Sequence, residues 1–166
     1  MENPYPLLCA ILFLGVLGCS SAREREIAAT GNQSAWLVGD LPANPLQWKV
    51  ITASVDKNHS TMSTLFGNDV AVRYARANSG HDYAEGAVLS LVTWAQQEDG
   101  RWFGAKIPSR PKSVEFVFVR TATDGRLSYS YQKYEGALLK RTVDQLVPAP
   151  NDRATFLLSQ RAAVMP

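Results

Sequence analysis

The side chains whose type and spacing could do chemistry are few in this chain. The sequence has two cysteines, Cys9 and Cys19, and two histidines, His59 and His81. Cys9 sits inside the apolar run Leu7–Gly18, and Cys19 ends that run. No thiol follows, so no zinc site built on thiolates can form downstream. His59 lies in the polar stretch Asp56–Ser60, and His81 stands beside Asp82. Two histidines are too few for a multi-histidine metal centre, and His81 with Asp82 makes at most a weak metal pair. Glu115 is set between Val114 and Phe116, in an apolar strand. It is a candidate half-buried acid for proton transfer. The alternatives are that it faces water, or pairs with Arg73 or Arg76. Trp94, Trp102 and Phe103 could wall a pocket for a flat ligand, with core packing as the alternative. Tyr129, Tyr131 and Tyr134 could form a ladder, with cross-strand packing as the default. No Ser-His-Asp or Cys-His constellation can be assembled. Gly125 and Gly136 stand alone, so no phosphate loop is present.

Strands must position these groups. Trp48–Val55 is rich in β-branched residues, and Asp56–Ser60 supplies turn chemistry. Thr61–Phe66 returns as the second strand of a hairpin. Gly67-Asn68-Asp69 then opens a helix, with Asn68 as N-cap and Asp69 in the first turn. Gly67 is expected to need a backbone conformation closed to other residues. The helix runs over Val70–Asn78, with Ala71, Tyr74 and Ala75 on the face toward the sheet. Ala87–Trp94 reads as a central strand buried on both sides. On Val114–Val119, Val114, Phe116 and Phe118 point one way and Glu115, Val117 and Val119 the other. Asp124-Gly125 marks a hairpin into Leu127–Tyr134. Asn151 is placed to cap a short helix through Ala163. The fold class is α+β, mainly β: an antiparallel sheet of about five or six strands with one or two packed helices. Alternation suggests one packed face and one more polar face.

Both charge signs are spread along the chain, and the formal net charge is +2. There is no basic stripe, which speaks against nucleic acid as a partner. The apolar run Leu7–Gly18 is too short to span a bilayer and has the size of a signal-peptide core. Its end, Gly18-Cys19-Ser20, resembles the lipobox of bacterial lipoproteins, in which the signal is cut before the cysteine and the thiol carries lipid. No basic residue precedes the run, and Leu17 is bulkier than the pattern prefers. The alternative is an ordinary cleaved signal with a leftover thiol. The reading is a signal peptide over 1–18, a lipidated Cys19 with its tether over 19–45, and a domain over 46–166. Within the tether, Trp36-Leu37-Val38 is expected to pack onto the domain edge. Ser20 in place of an aspartate favours the periplasmic side of an outer membrane.

An ordered series of residues resembles the cytochrome P-460 family, to which the cytochrome c′-beta proteins are related. It runs through Trp48-Lys49-Val50, Thr61, Gly67-Asn68-Asp69-Val70-Ala71 and Ala75-Arg76. It continues through Gly86-Ala87-Val88, Trp94, Trp102, Pro108, Glu115-Phe116 and Phe118. The resemblance implies a mainly antiparallel β fold around a c-type haem. That haem hangs on a Cys-x-x-Cys-His motif near the C-terminus, and a lysine crosslinks to it in the P-460 members. Those enzymes oxidise hydroxylamine and nitric oxide species, and the c′-beta members bind diatomic gases. Here the segment after Glu135 has neither thiol nor histidine. Leu91 stands at the position matched to the crosslinking lysine, and Ser63 where a basic residue is expected. The features that carry a fold remain and those that carry covalent haem are missing. The leading expectation is a lipid-anchored envelope protein whose haem-free domain binds a small ligand or an envelope partner, with no cofactor. The alternatives are a non-covalent haem sensor or oxidoreductase, and a purely structural envelope lipoprotein.

Overall fold

The computed structural model describes residues 31–77, 83–142 and 150–163. The chain divides into two units, Met1–Gln33 and Ser34–Pro166, and the second carries the sheet. The segment read as a signal peptide, Cys19 and His81 lie outside the described residues. No helix among the described residues is long and apolar enough to cross a membrane.

Two strands, β1 (Lys49–Asp56) and β2 (Thr61–Gly67), form the first hairpin. Its turn is held by Asp56, whose Oδ1 accepts the N–H groups of Asn58 (2.9 Å) and His59 (3.1 Å). The β1–β2 register shifts between Val50 and Thr52, and Ile51 between them is buried. Helix α1 (Asp69–Ala77) follows at once. Asn68 Oδ1 accepts the Ala71 N–H at 3.0 Å, which is the expected cap. The same oxygen accepts the Val88 N–H at 3.2 Å, and Asn68 Nδ2 donates to the Gly86 carbonyl at 2.8 Å. One side chain therefore ties the helix start to the next strand. The face predicted for α1, Ala71, Tyr74 and Ala75, packs on the sheet, and Val72 joins it.

Strands β3 (Val88–Glu98), β4 (Lys106–Thr121), β5 (Leu127–Glu135) and β6 (Lys140–Thr142) complete an antiparallel meander. The spatial order of the six strands is the chain order. Helix α2 (Pro150–Ser159) closes the described chain. The class is α+β, mainly β, as the sequence implies. Both sheet faces are apolar, against the expectation of one polar face. Leu65, Leu89, Leu91 and Val117 pack under α1 and α2, where Ala154 and Leu157 meet them. On the other face, Phe66, Val92, Trp94 and Phe116 are covered by Ala35, Leu37, Leu41 and Trp48. Residues read as tether thus lie on the sheet, and Trp94 Nε1 donates to the Ala35 carbonyl at 2.8 Å. The segment before β1 hides a face that alternation alone left open.

Three details differ from expectation. Strand β6 has no clear sequence signal, being three residues of polar chain. Helix α2 begins at Pro150, so Asn151 lies inside it and does not cap it. Proline suits a first helical position because its missing N–H would be unpaired there. Gly67 does not have positive φ; its constraint is space. A Cβ there would sit 2.7 Å from Ile51 Cδ1 and 3.0 Å from Ala71 Cβ. Gly67→Val should therefore cost about 2 kcal/mol through overpacking. Thermal melting checks this, and an unchanged Tm would contradict the close packing.

Candidate functional site

Glu115 sits mid-strand on β4, on the face covered by the helices. Its cross-strand neighbours are Leu91 of β3 and Lys133 of β5. It is only 3% exposed. A bare carboxylate at such a position is very costly, so it must be paired. Arg153 of α2 supplies the pairing. Its Nε donates to Oε2 at 2.6 Å and its Nη2 to Oε1 at 2.9 Å. Such two-point pairing fixes orientation as well as charge. The Tyr131 hydroxyl of β5 donates to Oε2 at 2.6 Å. Burial, then the adjacent carboxylate, pushes the Tyr131 hydroxyl far above its usual pKa, so it stays a neutral donor. The hydrogen bonds from Arg153 to Glu115 raise its own pKa further, so the guanidinium stays charged. The guanidinium carbon also lies 4.8 Å from the Phe156 ring centre, a cation–π contact.

Arg153 and Phe156 share one face of α2, and Gln160 follows just past its end. Together they wall a cleft of about 310 Å³. The floor is the outer surface of β2 and β3, with Thr61, Ser63, Leu91 and Thr93. The Ser63 and Thr93 hydroxyls bond each other at 2.9 Å. β1 adds Thr52, Ser54 and Asp56 at the rim. A second cleft of about 410 Å³ is lined by Tyr83, Val119, Leu127, Tyr129, Thr155 and Leu158. Helix α2 contributes to both.

The four residues singled out as a pocket are not brought together. Trp94 and Glu115 lie on opposite sheet faces, in different core clusters or contacts. Trp102 and Phe103 are exposed in the β3–β4 loop. None of the four lines either cleft. Glu115 is an acid in an apolar strand, as read, but its partner is Arg153 rather than Arg73 or Arg76. His59 is exposed in the first hairpin turn and bonds Asp56 at 2.7 Å. That bond holds the Asp56 carboxyl below its usual range. The tyrosines divide: Tyr131 joins Glu115, and Tyr134 bonds Gln132 at 2.9 Å on the other face. Sequence reasoning missed Arg153, Phe156 and Gln160. The available signal was indirect: a lone acid inside Val-Glu-Phe demands a buried cation.

The residues present do not fit a haem held by thioethers. Attachment needs a Cys-x-x-Cys-His run. The sequence has cysteines only at 9 and 19, and the described residues contain none. The positions matched to the family's lysine and basic residue are Leu91 and Ser63, and both face the smaller cleft. Among the described residues no group of three or more His, Cys, Asp or Glu could hold a metal ion.

Breaking one partner of a buried pair leaves the other charge uncompensated. Arg153→Met should destabilise the domain by about 3 kcal/mol, and Glu115→Gln by a similar amount. The double variant should lose clearly less than the two together. Urea unfolding of the four proteins checks this, and simple additivity would show that the pair does not couple.

The sequence pattern of the cytochrome P-460 family matches residues 42–138. The match takes in β1 to β5 and ends before β6 and α2. Glu115 and Tyr131 therefore lie inside it, and Arg153 outside. A search of curated proteins gives no significant match. The family match covers more than half of the chain, and the chain belongs to the cytochrome P-460 family.

Proposed function

We propose that this chain is an envelope lipoprotein, held to the membrane by lipid on Cys19, whose P-460 domain is a binding module. It works without covalent haem and takes a small ligand in the cleft under α2. One observation carries the reading. The cleft lies over Ser63 and Leu91, where the resemblance places side chains that serve the haem, and its wall is Arg153, Phe156 and Gln160. Its volume is at the small end of ligand pockets, which start near about 300 Å³.

The wall chemistry favours a neutral, polar ligand with one flat or apolar side. Arg153 is engaged by Glu115, and Asp56 by His59. The groups facing the cleft are the hydroxyls of Thr52, Thr61, Ser63 and Thr93, of which the last two also bond each other, the Gln160 side-chain carbonyl and the Phe156 ring. A binding role fits this set better than catalysis. The acid that could move a proton is spent in an ion pair, and no nucleophile–base pair stands in the cleft.

The reading is tested by native mass spectrometry of the protein released from membranes. The wild-type protein should carry a small-molecule adduct. A Thr93→Trp variant, whose indole would fill the cleft, should lack that adduct while melting as a folded domain. Spectra with no adduct on either protein would contradict the binding role.

A further inference from the structure

The β3–β4 hairpin reaches past its neighbours. The β2–β3 ladder ends at Thr61 opposite Ala95, and the Gln96 N–H makes a last bond to the Ser60 carbonyl. The β4–β5 ladder begins only at Ser113 opposite Glu135. From Gln97 to Lys112 the two strands pair only with each other. Pro108 and Pro111 are tolerated here because this part of β4 has a ladder on one side only.

The tip is built by its backbone. The Asp99 N–H donates to the Ala105 carbonyl at 3.0 Å, and the Ala105 N–H to the Trp102 carbonyl at 3.1 Å. Asp99 Oδ1 accepts the Arg101 N–H at 2.9 Å. Gly104 has φ +76°, which glycine adopts readily. This turn needs no aromatic residue, yet it presents two. Trp102 is 71% exposed and Phe103 fully exposed. Neighbouring exposed aromatics on a projecting tip mark a contact surface rather than scattered apolar exposure.

The charge around them selects the partner. Arg101, Arg110 and Lys112 are exposed, and their side chains make no ion pair among the described residues. Lys106 pairs with Glu98. The hairpin thus offers aromatic tips above a cationic stem, the combination that suits an anionic bilayer surface. The start of the compact unit lies at the same end. Trp94, opposite Pro111 at the hairpin base, donates to the Ala35 carbonyl. Ala35, near the start of this unit, therefore lies at the end of the sheet that bears the hairpin.

We propose that the β3–β4 hairpin is a second membrane contact, with Trp102 and Phe103 seated in the interfacial layer of an anionic bilayer. It rests on the lipoprotein reading only for the nearness of a membrane. The cleft under α2 lies on the other sheet face from Ala35, with Asp56 and Thr61 toward the hairpin end.

The test uses the full chain in vesicles of phosphatidylcholine and phosphatidylglycerol whose acyl chains carry bromine near the headgroup. Tryptophan emission should be quenched. Trp102→Phe should lose most of that quenching, Trp36→Phe should keep it, and Phe103→Ser should weaken it. Vesicles of phosphatidylcholine alone should quench less. Quenching through Trp102 in a Cys19→Ser chain would support the contact independently of the anchor. A chain that floats with the vesicles but shows equal quenching with and without Trp102 would overturn the hairpin contact and leave the anchor standing.

Discussion

A carboxylate buried in the middle of a sheet must find a cation, and this requirement organises the helix face of the domain. Glu115 is surrounded by apolar strand residues, and the side chain that answers it comes from α2, 38 residues later. The pairing fixes more than charge. Two parallel bonds set the rotation of α2 about its own axis. That rotation buries Ala154 and Leu157 against the sheet and turns Phe156 and Gln160 toward β2 and β3. Tyr131 of β5 adds a second hydrogen bond to Oε2. The cleft, its wall and the seat of the last helix are consequences of one acid on β4.

Much of this fold was legible in the sequence because local rules agreed with the global answer. The turn at Asp56–Ser60, the cap at Asn68, the alternation through Val114–Val119 and the Asp124-Gly125 hairpin all act through neighbours in the chain. What escaped depends on distant chain. Alternation cannot say what covers a face: Trp36-Leu37-Val38 is expected at the domain edge, yet Trp36 and Val38 are exposed, and Leu37 joins Ala35 and Leu41 over Phe116 and Trp94. Strand β6 forms because β5 offers an edge, not because Lys140-Arg141-Thr142 favours a strand. Gly67 was read as a matter of dihedral angle, whereas it is small because Ile51 and Ala71 need the space. For the site, the acid was visible and its partner was not. A single arginine in a polar helix start carries no pattern until the sheet beneath it is known. Trp94 and Trp102 illustrate the opposite difficulty: residue type suggested one pocket, and the pleat and a loop sent them to different places.

The family relationship and the departures from it are read on the same strands. The match stops before α2, and the helix that walls the cleft belongs to the unmatched end. A scaffold that elsewhere carries a covalent cofactor here has Leu91 and Ser63 on the floor and Arg153 overhead. The charges at the cleft are paired with one another, and the cleft presents hydroxyls, an amide and a ring.

The account stands most directly on whether the domain takes haem at all. The decisive measurement is the absorption spectrum of the protein purified from haem-replete cells and then titrated with haemin. The account predicts no Soret band as purified and no saturable shift on titration. A sharp Soret band rising to one haem per chain would contradict it.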